Sequence, residues 1–197
     1  MNDDCVIYDF ETLGQDQQKS VILSFAMITF SEKFYKTDPY SFDELVKKAK
    51  FIKFDVESQV KNGRKINMET LDWWKDQGPE AQKQLRVTPD DKPLSDLHSF
   101  IIKHTEGMKI KKAFTRGNTF DPMFLQYAME ETGNKEPFHW RTVRDTRSMI
   151  EGMSFGMKLD NGFIPGEIEN KFIKHDPCHD VAMDVLRMQL LAQAILQ

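Results

Sequence analysis

"VIYDFET", residues 6 to 12, closes an apolar, β-branched run on two carboxylates, Asp9 and Glu11, two positions apart. The run reads as the first core strand. Side chains alternate along a strand, so the two acids share one face while Tyr8 and Phe10 point the other way. Like charges this close repel unless each is solvated, shares a proton, or is joined by something positive. On the pair alone, a strand end with two solvated acids and a metal site are equally good readings.

Working outward, "SVILSFAMITF" at 20–30 follows a polar turn containing Gly14. The join "ETLGQDQQK" is too short for a crossover helix, so the two strands are expected to form an antiparallel hairpin. "FIKFD" at 51–55 supplies a third strand, preceded by "SFDELVKKAK", a short helix or loop whose Lys47, Lys48 and Lys50 mark a solvated surface. "NMETLDWWKDQGPEAQKQLR" breaks into two helical pieces at Gly78 and Pro79, with Leu71 and Trp74 able to share a face. "PLSDLHSFIIKH" reads as an amphipathic helix, "AFTRG" as a strand ending in a turn, and "DPMFLQYAMEETG" as a helix stopped by glycine. "WRTVRDTRSMIEGM" is read as helical from about Asp145, and "DVAMDVLRMQLLAQAILQ" as an apolar helix running to the last residue. Strands first, then mixed helices and strands, predict a single α/β domain over residues 1–197.

Composition narrows the function only a little. A formal charge of -4 gives no general pull toward nucleic acid or an anionic membrane, although metal ions and local lysines can still handle phosphates. The two cysteines, Cys5 and Cys178, form no metal-ligand spacing and no disulfide framework, which suits a reducing cytoplasm. The opening "MNDDC" lacks a basic, apolar signal segment, and no apolar run approaches membrane length. A soluble cytoplasmic protein with no membrane partner is the expectation.

Two further acidic stretches lie far from the first. In "TRGNTFDPMF", Asp121 before Pro122 reads as a helix cap, or Asn118 caps and Asp121 sits in the first turn. In "KHDPCHDVAMDVL", Asp176 and Pro177 again mark a helix start. Asp180 and Asp184 are four apart and share a face, while His179 fits a loop or first turn from which it can swing over a site. Periodicity pairs Asp184 with Asp180 and leaves His179 undecided. Carboxylates gathered from three remote places suit hard divalent cations such as Mg²⁺ or Mn²⁺, not structural zinc. Two such ions, roughly 4 Å apart, would clamp the attacking and leaving oxygens of a phosphodiester hydrolysis. A nearby histidine is the natural general base.

Taken together, Asp9-x-Glu11, Asn118-x-x-Asp121 and His179-x-x-x-x-Asp184 resemble the three motifs of the DEDDh 3'→5' exonucleases. The resemblance implies a ribonuclease H-like mixed sheet flanked by helices. It also implies two ions held by Asp9, Glu11, Asp121 and Asp184, with His179 as general base. The five-residue step to Asp184 is what selects His179 over His175. "FIKFDVESQ", "WWKDQGPEAQK", "RGNTFD", "RDTR" and "HDPCHDVAMDVL" resemble the exonuclease A branch of T-even bacteriophages over nearly the whole chain. That branch implies release of nucleoside 5'-monophosphates from the free 3' end of single-stranded DNA. A related bacterial branch makes exoribonuclease the alternative.

By the same resemblance Thr12 and Leu13 lie beside the 3'-terminal nucleotide, Leu13 as a base wedge, with Asn118 and Phe120 lining the cleft. Adjacent residues on a helix point about 100° apart, so one of Trp73 and Trp74 reaches the groove edge. Trp74 is the candidate for base stacking, although core packing is the commoner fate of tryptophan. Arg141, Arg144, Arg147 and the Lys61–Lys65 stretch are candidates for phosphate contact or plain solvated surface, Arg147 equally for a pairing with Asp145. An inactive binding module would have lost a ligand, and none of the motif residues is missing.

Overall fold

The expected hairpin forms: β1 (Cys5–Thr12) and β2 (Ile22–Phe30) pair antiparallel, Asp9 opposite Ala26. The computed structural model describes residues 4–33 and 39–196; the first three residues of "MNDDC" and the last of the C-terminal apolar run lie outside that description. After β2 come α1 (Phe42–Lys48), β3 (Lys50–Lys53), α2 (Val56–Lys61) and α3 (Met68–Lys75). The segment "SFDELVKKAK" is a helix because Ser41 and Glu44 close a capping box at its start. A 3₁₀ turn at Ala81–Leu85 follows the Gly78–Pro79 break, then α4 (Asp96–Thr105), β4 (Lys112–Thr115) and α5 (Asp121–Glu131). The chain ends with β5 (Val143–Asp145), α6 (Thr146–Met153) and α7 (Pro177–Leu196). The strand β5 is too short to show an alternation in the sequence.

The sheet order is β3-β2-β1-β4-β5, with β4 and β5 parallel to β1 and β2 antiparallel to both its neighbours, β1 and β3. Helices cover both faces, and β1 shows how. Cys5 and Ile7 pack under α7, against a layer with Val181, Val185 and Phe114. Val6, Tyr8 and Phe10 face the opposite layer, with Leu97 and Ile101 of α4 and Phe124 and Leu125 of α5. Burying each large apolar side chain contributes roughly 1.5–3 kcal/mol, so this alternation fixes which face of β1 meets α7. Asp9 and Glu11 extend the Cys5–Ile7 face. Between Glu11 and Thr12 the register with β2 shifts, which ends regular pairing where the acids stand. A smaller cluster of Leu13, Val21, Leu23, Trp74 and Ala81 fills the space behind the β1–β2 turn. Among the described residues, no helix is long and apolar enough to cross a membrane.

Candidate active site

Three elements deliver carboxylates to one place. Asp9 and Glu11 come from the end of β1, Asp121 from the start of α5, and Asp180 from the first turn of α7. Asp121 does not cap its helix. Phe120 holds the cap position without a side-chain bond, and the Asp121 carboxylate instead accepts the Phe10 N–H of β1 at 3.1 Å. Asp176 does act as the expected helix start, its carboxylate accepting the N–H groups of Cys178 and His179 at 3.0 and 3.1 Å. Donor atoms of Glu11, Asp180 and His175 all lie within 4.8 Å of one another.

The electrostatics are those of a site built for a cation. Burial, then Asp121, Glu11 and Asp180, holds the Asp9 carboxyl well above its ordinary range. Burial, then Asp180, does the same for Glu11. Asp121 is pushed up to about 7, chiefly by burial, against the pull of the Phe10 hydrogen bond. Asp180 is also raised to about 7, by burial first and then by Asp184, while the His175 N–H and Arg187 pull the other way. Among the described residues, no lysine or arginine forms an ion pair with these four acids. Crowded buried carboxylates without a cation cost several kcal/mol each. The donor set, all hard oxygen plus one imidazole, fits a divalent metal.

The other two acid–base candidates sit differently. Asp184, one helical turn beyond Asp180, is occupied: it accepts from Arg116 Nη1 at 2.8 Å, from Arg187 Nη1 at 2.7 Å and from the Thr146 hydroxyl. Arg116 also bonds Asn161, and Arg187 bonds the carbonyls of Gly162 and Phe163, so this network pins segment 161–163 to the cleft wall. His179 turns away from the acids. Its Nδ1 accepts the Ile173 N–H at 3.1 Å, and its ring packs edge-on against Phe42 and beside Phe172. The histidine that does face the acids is His175, in left-handed backbone (φ 64), its N–H donated to Asp180 Oδ2 at 3.0 Å. The step from His175 to Asp180 is also five residues, so the sequence holds the same spacing twice, one turn apart. That repeat is the signal the sequence reading passed over.

Two hollows meet at Glu11. One, of about 660 Å³, is lined by Asp9, Asp121, Asp180, His175 and the Arg116–Asp184 pair. The other, of about 810 Å³, runs past Thr12, Lys19, Lys65, Asn67 and Trp73, and both share Phe10, Glu11 and Phe120. Thr12 is buried at the groove floor, its hydroxyl donating to the Gly14 carbonyl at 2.7 Å. Phe120 is half-buried against the core and still borders both hollows. Three expectations change. Leu13 is buried behind the turn with Leu23 and Trp74, so it is a core residue and presents no wedge. Asn118 is exposed in its turn and lines neither hollow. Trp74 is buried, its indole N–H donating to the Thr12 carbonyl at 3.0 Å, while Trp73 stands 43% exposed on the groove wall. Of the basic candidates, Arg147 and Lys65 reach a hollow. Arg141 lies over the Trp140 ring, Arg144 bonds nearby carbonyls and Lys61 pairs with Glu57.

A mixed sheet whose first strand ends in a pair of acids, with helices on both faces, is the ribonuclease H-like architecture of DEDDh-type exonucleases, metal-dependent nucleases. The chain belongs to the family described as the 3'-5' exoribonuclease Rv2179c-like domain, matched over residues 4–186. It is 30% identical over 202 residues to an exodeoxyribonuclease of Enterobacteria phage T4, an alignment spanning 93% of this chain and 86% of that one. Solved structures share the fold at low identity. A zinc-bound complex of Escherichia coli exonuclease I with single-stranded DNA superposes with a TM-score of 0.61 at 12% identity, over 99% of this chain and 40% of that one. The same enzyme with a dA13 oligonucleotide gives 0.56 at 12% identity, over 97% of this chain. The chain therefore spans 40% of the length of these exonuclease I chains.

Proposed function

We propose that this protein is a metal-dependent 3'→5' exonuclease that removes nucleoside 5'-monophosphates from the free 3' end of single-stranded DNA. The observation that carries the reading is the convergence of Asp9, Glu11, Asp121 and Asp180 on one cleft, Glu11 and Asp121 buried and the other two half-buried, with no ion pair to a lysine or arginine among the described residues. In this reading they hold the metal. Ionised, they carry a charge of four, which two divalent ions such as Mg²⁺ or Mn²⁺ balance. His175 replaces His179 as the base, and Asp184 serves the arginines instead of the metal.

When bound, the ions supply positive charge that offsets the attacked phosphate and the departing 3'-oxygen. The residues of the chain do the rest. Burial, then Lys174, holds His175 below the usual imidazole range, which favours the neutral form that can accept a proton from the attacking water. The water oxygen bonds to phosphorus, the bond to the 3'-oxygen breaks, and that oxygen is reprotonated. Left-handed backbone at a non-glycine residue is strained, and the Asp180 hydrogen bond is what holds His175 in it. The Thr12–Trp73 groove takes the terminal nucleotide, with Lys19 and Lys65 as phosphate contacts.

DNA is favoured because the likeness to the phage exodeoxyribonuclease runs over nearly the whole chain. The description of the family favours the second reading, an exoribonuclease using the same acids. One gel assay tests both: 5'- and 3'-labelled single-stranded DNA and RNA with Mg²⁺, Mn²⁺ or EDTA. The expected result is a metal-dependent ladder from 5'-labelled DNA with immediate mononucleotide release from the 3' label. A ladder on RNA alone moves the substrate to the second reading, and no cleavage by folded, metal-loaded protein overturns both.

A further inference from the structure

The tandem Trp73–Trp74 divides its work in a way neither base stacking nor core packing accounts for. Trp74 points into the core, while the Trp73 ring lies 43% exposed beside the groove. That ring does not stand free. Its centroid is 4.7 Å from the imidazole of His175 at an interplanar angle of 76°, and the Trp74 ring meets the same imidazole at 6.1 Å and 74°. The two indoles are themselves 5.2 Å apart at 77°. His175 thus sits in a corner made by two rings of α3, more than a hundred residues earlier in the chain. It needs that corner. It stands in a turn ahead of α7, in left-handed backbone, and among the described residues its hydrogen bond is the one its own N–H donates to Asp180. A backbone tether fixes where the residue is, not where its ring points.

We propose that Trp73 is a positioning residue for catalysis, its ring holding the His175 imidazole beside the Glu11–Asp180 pair through their T-shaped contact. The inference rests on the reading of His175 as the proton acceptor. Trp73 borders the groove and His175 the acid cleft, so the contact joins the nucleotide end of the site to its chemical end. An edge-to-face aromatic contact is worth a modest energy, so its loss should slow turnover roughly 3- to 10-fold without approaching the loss of His175 itself.

The test uses the full chain with Mn²⁺ and a 5'-labelled single-stranded oligonucleotide, comparing Trp73→Ala, Trp73→Phe, Trp73→Leu, His175→Ala and the Trp73→Ala/His175→Ala double variant. Positioning predicts a lower kcat for Trp73→Ala whatever its KM, recovery of kcat in Trp73→Phe, no recovery in Trp73→Leu, and no further loss of kcat in the double variant. A raised KM with unchanged kcat, persisting in the His175→Ala background, would overturn the inference and leave Trp73 as a base-stacking surface. If thermal melts show Trp73→Ala unfolded, the phenylalanine and leucine variants decide, since both keep an apolar side chain and one of them keeps a ring. Full activity in His175→Ala would instead overturn the reading of the site, whatever the Trp73 variants do.

Discussion

Replacing Asp180 and Asp184 one at a time by asparagine should shift the stability of the metal-free protein in opposite directions. Asp184 is 3% exposed and accepts from two guanidiniums, one of them, on Arg187, only 7% exposed. Breaking a buried ion pair costs about 3–5 kcal/mol because a charge is left behind. Arg116 is 27% exposed and can rehydrate, and Arg187 keeps the Gly162 and Phe163 carbonyls, so about 3 kcal/mol is expected. For a chain of this length that lowers Tm by roughly 6–12 °C. Asp180 is the reverse case. Its carboxyl is raised from 3.8 to about 7, so ionising it at pH 8 withholds up to about 4 kcal/mol, of which solvent at this half-buried site screens about half. Asparagine removes the charge and still accepts the His175 N–H, so Tm should rise by several degrees at pH 8. The gain closes below about pH 4, where the carboxyl is protonated in folded and unfolded chains alike. The assay is thermal unfolding in EDTA at pH 5 and pH 8, alongside nuclease activity in Mn²⁺. Asp180→Asn should be stable and inactive, Asp184→Asn fragile and active within about tenfold below its Tm. The reasoning is refuted if Asp184→Asn melts with the wild type, loses activity and is no longer stabilised by Mn²⁺. Asp184 would then be a ligand that sheds its arginines when metal binds.

Three further outcomes follow from the same geometry. His175→Ala should lower kcat by about 10²- to 10⁴-fold, whereas His179→Ala should leave kcat near wild type and cost about 1–2 kcal/mol in urea unfolding, through the lost Ile173 hydrogen bond and Phe42 contact. In EDTA the protein should lose stability as pH rises from about 4 to about 7, because folded Asp121 and Asp180 hold protons that the unfolded chain has released; Mn²⁺ should restore it, and equal urea midpoints at pH 5 and 8 would contradict the sign. Lys19→Ala and Lys65→Ala should each weaken oligonucleotide binding by fluorescence anisotropy and reduce the slope of log affinity against log salt by about 1, with no change in slope excluding them from the strand path.

How far the sequence could be read depends on what each pattern had to choose between. The β1–β2 hairpin was legible because a period of two and a short join leave one arrangement, and the face bearing Asp9 and Glu11 came with it. "HDPCHDVAMD" is different, because it contains the histidine-to-aspartate step of five twice, offset by four residues. An offset of four is close to one helical turn, so both frames put their acid on the same face of α7, and no pattern along that helix separates them. What separates them is depth along the helix axis. Asp180 lies level with the end of β1, and Asp184 lies where Arg116 arrives from the β4–α5 turn. One clue was local. Arg187, three residues past Asp184 and the one charged residue in the rest of that helix, is a charge that burial forces to find a partner, and i,i+3 makes Asp184 the nearest one. The same logic applies to Trp74. Its spacing from Leu71 already placed it on the inward face of α3, and the structure packs both against the cluster behind the β1–β2 turn. In each case the residue left for chemistry is the one whose side chain makes no hydrogen bond among the described residues, whereas the His179 ring accepts from Ile173 and the Trp74 indole donates to Thr12. By that criterion His175 and Trp73 belong with Asp9 and Glu11, and His179 and Trp74 belong to the scaffold that holds them.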